Sequence, residues 1–117
     1  LGQIITNLLQ NAIVHGFAGR AAGRIAIEGR RVDAGFELEV IDDGIGIAPE
    51  IIERIFDPYF TTRGDEEGSG LGLSISRQLA ATVLGGRLTV ASTPGEGTRF
   101  LLRAPLSAPH RRDEAEE

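Results

Sequence analysis

The segment Gly68-Ser69-Gly70-Leu71-Gly72-Leu73-Ser74-Ile75 constrains this chain most, because alternating glycines run straight into an apolar repeat of helical spacing. Leu71, Leu73, Ile75, Leu79, Ala80, Val83 and Leu84 predict a long helix that Gly85-Gly86 stops. Free backbone N–H groups and the positive end of the helix dipole would then stand where phosphate oxygens could sit. The Gly-Lys-Ser/Thr ending of a Walker loop is missing, and no parallel strand-helix-strand unit surrounds the glycines as a dinucleotide fingerprint requires. An ordinary glycine-rich helix start fits the same residues, and spacing alone does not separate the two.

Around this segment the chain alternates between periods. Leu1, Ile4, Ile5, Leu8, Ala12 and Ile13 recur at helical spacing and leave Gln3, Asn7, Asn11 and His15 on a second stripe, which predicts an amphipathic helix with an amide-lined face. After a loop at Gly16 to Gly23, Arg24 to Glu28 and Phe36 to Ile41 read as antiparallel strands about the turn Asp33-Ala34-Gly35. Pro49 at a first helical turn predicts a short helix to Ile55. Arg87 to Ser92 and Thr98 to Arg103 read as a closing hairpin around Thr93-Pro94-Gly95-Glu96-Gly97. This order predicts an α+β fold, a two-layer sandwich with helices on one face of a mixed, mostly antiparallel sheet.

Length and charge bound the function. With 117 residues, 41% of them hydrophobic, one domain over residues 1–106 is expected, followed by a disordered acidic tail at 107–117. A net charge of -5 offers nucleic acid or an anionic membrane no general attraction. Without cysteine there is no thiolate metal site or thiol nucleophile, and His15 and His110 are too far apart in sequence to suggest a ligand cluster. No 18-residue apolar run or signal-peptide pattern is present, so the chain is expected to be soluble and cytoplasmic. Leu1 opens inside a helix pattern, so a preceding segment is expected, with room for a parent anchored in the inner membrane.

Two further clusters carry chemistry. Asp42-Asp43-Gly44-Ile45-Gly46-Ile47 follows an apolar strand, placing a carboxylate at the strand's exit and glycines where backbone could approach a flat ligand. A buried carboxylate there can accept a hydrogen bond from an exocyclic amine, although a tight turn with Asp as turn former accounts for the residues equally well. Asn7 and Asn11, four apart, suit a hard cation that also holds phosphate oxygens and water, but an Asn stripe is more often a solvated face.

Taken in order, Asn7-Leu8-Leu9-Gln10-Asn11-Ala12, Asp42-Asp43-Gly44-Ile45-Gly46-Ile47, Phe56-Asp57-Pro58-Tyr59-Phe60-Thr61-Thr62, Gly68-Ser69-Gly70-Leu71-Gly72-Leu73 and Gly95-Glu96-Gly97-Thr98 resemble the ATP-binding catalytic domain of bacterial sensor histidine kinases. The resemblance runs from the first helix to about Pro105. It implies the Bergerat fold shared with gyrase, MutL and heat-shock chaperone ATPases, with ATP and Mg²⁺ as cofactors. It also implies transfer of the γ-phosphoryl group to a histidine on a separate helical hairpin of the parent protein, with a response regulator downstream. The isolated domain would be monomeric and the parent a homodimer.

By the same resemblance Asn11 would reach Mg²⁺, Asn7 would take the neighbouring catalytic position, and Asp42 would bind the adenine amine. Gly44, Gly46 and Ile47 would shape the adenine pocket, and Thr98 would support Asp42. Gly68, Ser69, Gly70, Leu71, Gly72 and Leu73 would line the triphosphate. Residues Asp57 to Gly70 would form a lid, with Phe60, Thr61 and Thr62 against the nucleotide. Val14-His15 stands where Lys-Tyr is frequent, so Arg63 would supply the cation for the γ-phosphate. His15 would either face the nucleotide or be an ordinary helix-end histidine. Hydrolysing relatives carry Glu where Asn7 stands, and an amide is a poor general base, which favours transfer over hydrolysis. A non-catalytic nucleotide-binding module, an anti-sigma-type serine kinase and an ATPase are the alternatives on this fold.

Overall fold

A computed structural model describes residues 1–17, 19, 22–58 and 72–106. Helix α1, Gly2–Asn11, buries the stripe its period dictates, with Ile4 and Leu8 essentially without exposure. Its apolar period predicts a regular continuation to His15, but over Ala12–Gly16 the helix widens into a π turn. The Phe17 N–H reaches back to the Ala12 carbonyl at 2.9 Å, so one extra residue enters the turn. Gly16 thereby comes against the sheet, where its carbonyl accepts the Ile45 N–H at 2.8 Å.

Strands β1, Ile25–Val32, and β2, Gly35–Asp42, form a hairpin whose turn sets Asp33 at φ 43°, a conformation that Asp tolerates. Helix α2 is shorter than its pattern predicts, Pro49–Ile52, and successive tight turns carry the chain on to Asp57. Helix α3, Gly72–Thr82, faces the core with Ser76 and Ala80, and Gly85 reverses the chain at φ 68° so that the Gly86 N–H closes on the Ala80 carbonyl at 2.7 Å. Strands β3, Arg87–Thr93, and β4, Gly97–Pro105, make the final hairpin.

The sheet order is β1-β2-β4-β3, and every pairing among the described residues is antiparallel, in place of the mixed sheet that the element order predicts. The reason is topological. The helical crossover from β2 brings β3 back in the same direction, but β4 folds by its hairpin into the gap between them and turns one parallel pairing into two antiparallel ones.

Val40, Phe100, Leu102 and Leu88 lie on one sheet face and pack with Ile4, Leu8, Ile55 and Ala80 into a single core. The core lies over β2, β4 and β3, so edge strand β1 stays largely exposed and Ile27, which its alternation marks as buried, keeps 48% of its surface in water. No helix among the described residues is long and apolar enough to cross a membrane. The tail expected from residue 107 onward lies outside the described residues.

The other face is held by ions. Glu37 is buried between Arg103 and Arg30, accepting from Arg103 Nε at 2.7 Å and from Arg30 Nε at 2.8 Å, while Arg99 pairs with Glu39 at 3.5 Å. The Arg103 hydrogen bond, then that of Arg30, holds the Glu37 carboxyl below its ordinary value of 4.5. A carboxylate whose folded pKa is depressed contributes stability above its unfolded pKa and loses it as pH falls through the folded value. Glu37→Gln is therefore expected to flatten the loss of stability below pH 4.5 relative to the unsubstituted chain. Urea melts across pH 3 to 7 (about the carboxylate range) check this, and parallel acid limbs would refute it.

Candidate nucleotide site

A cavity of about 400 Å³ opens at the end of the sheet where β2 runs out, within the size range of small-molecule pockets. Asn11, His15 and Gly16 face it from the end of α1 and the π turn, and Asp42 and Thr98 form its polar floor. Ile45 to Ala48, Ile51, Ile55, Leu73 and Pro94 make its apolar walls. A few polar groups thus join a mostly apolar lining, the arrangement that suits a flat heteroaromatic ring with a few hydrogen-bonding edges.

The floor is built by register. Asp42 and Thr98 are cross-strand partners of β2 and β4, so their side chains point the same way. Asp42 is 6% exposed, and its Oδ1 accepts the Gly44 N–H at 2.8 Å, which fixes the carboxylate plane. Ser92 donates to the Gly97 carbonyl at 2.7 Å and accepts the Ile47 N–H at 2.8 Å. A hydroxyl has one proton, so in the Ser92–Thr98 contact of 2.9 Å Thr98 must donate. The Thr98 oxygen is left with lone pairs, and the acceptor-bearing groups in the lining include the Asp42 carboxylate and the Thr98 hydroxyl. Acceptors call for donors, and an exocyclic amine is one.

The glycines shape the wall. Gly46 sits at φ 79° with Thr93 O only 2.4 Å from where a Cβ would be, and a Cβ on Gly44 would lie 2.2 Å from Gly16 O. Side chains at either place would push the strap 44–47 off the sheet end. Gly44 itself backs the wall without lining the cavity.

Asn7 is placed differently from Asn11. Its Nδ2 donates to the Gly72 carbonyl at 3.1 Å and to Ser76 Oγ at 2.9 Å, and its Oδ1 accepts from Gln3 at 3.1 Å. Asn7 therefore clasps α1 to the first turn of α3 and does not line the cavity. Ser76, fully buried, passes its own proton to Gly72 O at 2.9 Å. Among the sequence-predicted residues, the structure brings Asn11, His15, Asp42, Gly46, Ile47, Leu73 and Thr98 together, and sets Gly72 beside Asn7. Phe60, Thr61, Thr62, Arg63, Gly68, Ser69, Gly70 and Leu71 lie outside the described residues.

Sequence reasoning missed Ser92 and Ser76, which orient Thr98 and Asn7. Both carry a signal, since each is a hydroxyl on the inward stripe of its element. It also missed Ile51 and Ile55 as cavity walls, because their period marks only core.

Among proteins of known sequence, the chain is 46% identical over 113 residues to the two-component sensor PprA of Pseudomonas aeruginosa, covering 93% of this chain and 12% of PprA. It is 41% identical over 104 residues to the sensor protein TorS of Escherichia coli, covering 89% of this chain and 11% of TorS. It thus spans only about an eighth of these relatives. Among solved structures, the nucleotide-free catalytic domain of histidine kinase ThkA superposes with a TM-score of 0.73 at 33% identity, covering 88% of this chain and 64% of that one. The mycobacterial sensor histidine kinase MprB gives 0.71 at 32% identity, covering 89% and 70%. The sequence profile described as histidine kinase-, DNA gyrase B-, and HSP90-like ATPase matches residues 1–108. Helix-clasped cavity, acceptor floor and family profile agree: this chain belongs to the histidine kinase-, DNA gyrase B- and HSP90-like ATPases.

Proposed function

We propose that residues 1–106 are the catalytic domain of a sensor histidine kinase, which binds Mg-ATP and passes its γ-phosphoryl group to a histidine on a helical hairpin of a larger protein, from which a response regulator receives it. The pairing of Asp42 and Thr98 at a largely apolar cavity carries this reading, because a carboxylate there can accept from the exocyclic amine of adenine. Asp42 takes the exocyclic amine, and Ile47 and Leu73 cover the ring. The start of α3, with Gly68 to Gly72, receives the phosphates, and Arg63 adds charge at the γ-phosphate.

Asn11 lines the cavity, and its side chain carries one hard amide oxygen, which fits Mg²⁺, an ion that takes one or two protein ligands beside phosphate oxygens and water. Its other ligands would come from the nucleotide and solvent. Bound there, the ion would neutralise phosphate charge. Transfer then needs little covalent chemistry from this chain: Asp42 and Thr98 orient the base, and the apolar walls exclude water from it.

Asn11→Ala is expected to weaken binding of Mg-ATP more than binding of ATP in chelator, since the adenine contacts lie elsewhere. Paired calorimetric titrations measure both. Equal losses would make Asn11 structural and move the metal role to another residue.

A further inference from the structure

The described residues hold one contact that joins two walls of the cavity and that the nucleotide roles leave unused. Leu73, a wall residue, lies one helical turn before Arg77 on α3, so the two share a stripe. Ile55, another wall residue, is followed in the chain by Phe56. The guanidinium carbon of Arg77 lies 4.6 Å from the centroid of the Phe56 ring, and Phe56 meets the buried Phe100 edge-on, at 6.3 Å and 82°. Arg77 itself is exposed, and its planar head covers the face of a ring whose edge is already fixed by the core. The neighbouring Ser76 holds Asn7 of α1, so a single turn of α3 contacts both α1 and the segment that carries Ile55.

We propose that Arg77 is a positioning residue for nucleotide: its stacking on Phe56 sets the distance between Leu73 and Ile55, and so the width of the slot that receives the ring. This rests on the cavity being the nucleotide site. Without the stack Phe56 keeps its contact with Phe100 but not its tie to Arg77, so the turn that carries Ile55 can shift relative to α3, and a ring bound in a wider slot loses contact on one face. Arginine suits the task because a planar cation lies flat on a ring, whereas lysine offers a point charge that still attracts the ring face.

The test is a double-mutant cycle in Mg-ADP affinity, run on the whole chain with Arg77→Gln, Phe56→Leu and the pair, together with Arg77→Lys and a melting curve for each. Arg77→Gln is expected to weaken Mg-ADP about 3- to 10-fold, the range of an exposed to partly desolvated cation–π contact. Its melting temperature should stay within a few degrees of the unsubstituted chain. Phe56→Leu should weaken binding to a similar degree, the double variant should lose little more than either single, and Arg77→Lys should recover part of the affinity. Undiminished affinity in Arg77→Gln, or losses that multiply in the double variant, would overturn the proposal. If Phe56→Leu does not fold, the Gln and Lys variants at Arg77 decide it alone, since both sit at a solvent-exposed position. Failure of the unsubstituted chain to bind Mg-ADP would instead refute the nucleotide reading itself, and the positioning role with it.

Discussion

Asp42→Asn is expected to weaken ATP binding about 30-fold or more, on the order of 2 kcal/mol, while the fold persists. The Gly44 N–H already takes one oxygen of the carboxylate at 2.8 Å. An amide that keeps that bond with its oxygen would offer an NH₂ in place of the second oxygen, so that a donor meets the exocyclic amine of adenine, itself a donor. The buried amine would then have no partner on that side, which costs more than the bond itself was worth. The same NH₂ would face the exocyclic carbonyl oxygen of guanine favourably, so the preference for ATP over GTP should collapse along with the affinity. Calorimetric titration of both chains with both nucleotides, with melting curves beside them, reads all of this. Unchanged ATP affinity with an unchanged melting curve would remove Asp42 from the base-binding role.

The largest loss of stability is expected from Phe100→Ala, about 3 to 5 kcal/mol. Phe100 is 1% exposed, stands across from Val40 in β2 and Val90 in β3, and meets Phe56 edge-on. It therefore touches the sheet and the turn after α2 together, and a methyl group there leaves a hole bordered by strands that cannot close on it. Against a total of about 5 to 15 kcal/mol for a domain of ordinary stability, this consumes much of the margin. Denaturant melts measure it directly. Phe100→Leu should cost markedly less, since most of the volume remains. Equal and small effects from both would place the core elsewhere.

Much of this fold is legible in the sequence because its strands alternate and its turns carry their own chemistry. Asp33-Ala34-Gly35 and Thr93 to Gly97 announce hairpins, and the structure puts them there. What the sequence does not supply is which strands become neighbours. Nothing local to β4 says that it inserts between β2 and β3, since that is decided by where both helices can cover apolar surface. The same placement explains Ile27, whose alternation marks an inward position on a strand that ends up at the edge. The π turn is also hidden, because a helical repeat tolerates one added residue near its end without losing its stripe.

The site divides in a similar way. Asp42 is readable as a carboxylate at a strand exit, and its burial follows from the register with Thr98. Asn7 and Asn11 share a face by spacing, yet only Asn11 lines the cavity. Asn7 is turned aside by partners 65 and 69 residues away, Gly72 and Ser76, and spacing within one helix has no view of those. Both protons of its amide are engaged there, and its oxygen is taken by Gln3. An amide so engaged is a poor general base.

The most direct measurement follows binding and turnover together on the 117-residue chain. Incubation with Mg²⁺ and γ-labelled ATP, read by equilibrium binding, by neutral gel autoradiography and by release of free phosphate, should give saturable binding without labelled protein. Phosphate release should stay well below about one per second, the lower edge of ordinary enzyme turnover. His15 stands on a π turn at the cavity wall and lies on no helical hairpin, so the described residues offer the γ-phosphate no acceptor of the kind proposed. Strong self-labelling, or phosphate release at an ordinary enzymatic rate, would contradict the central claim that this domain binds and positions ATP for a histidine it does not carry.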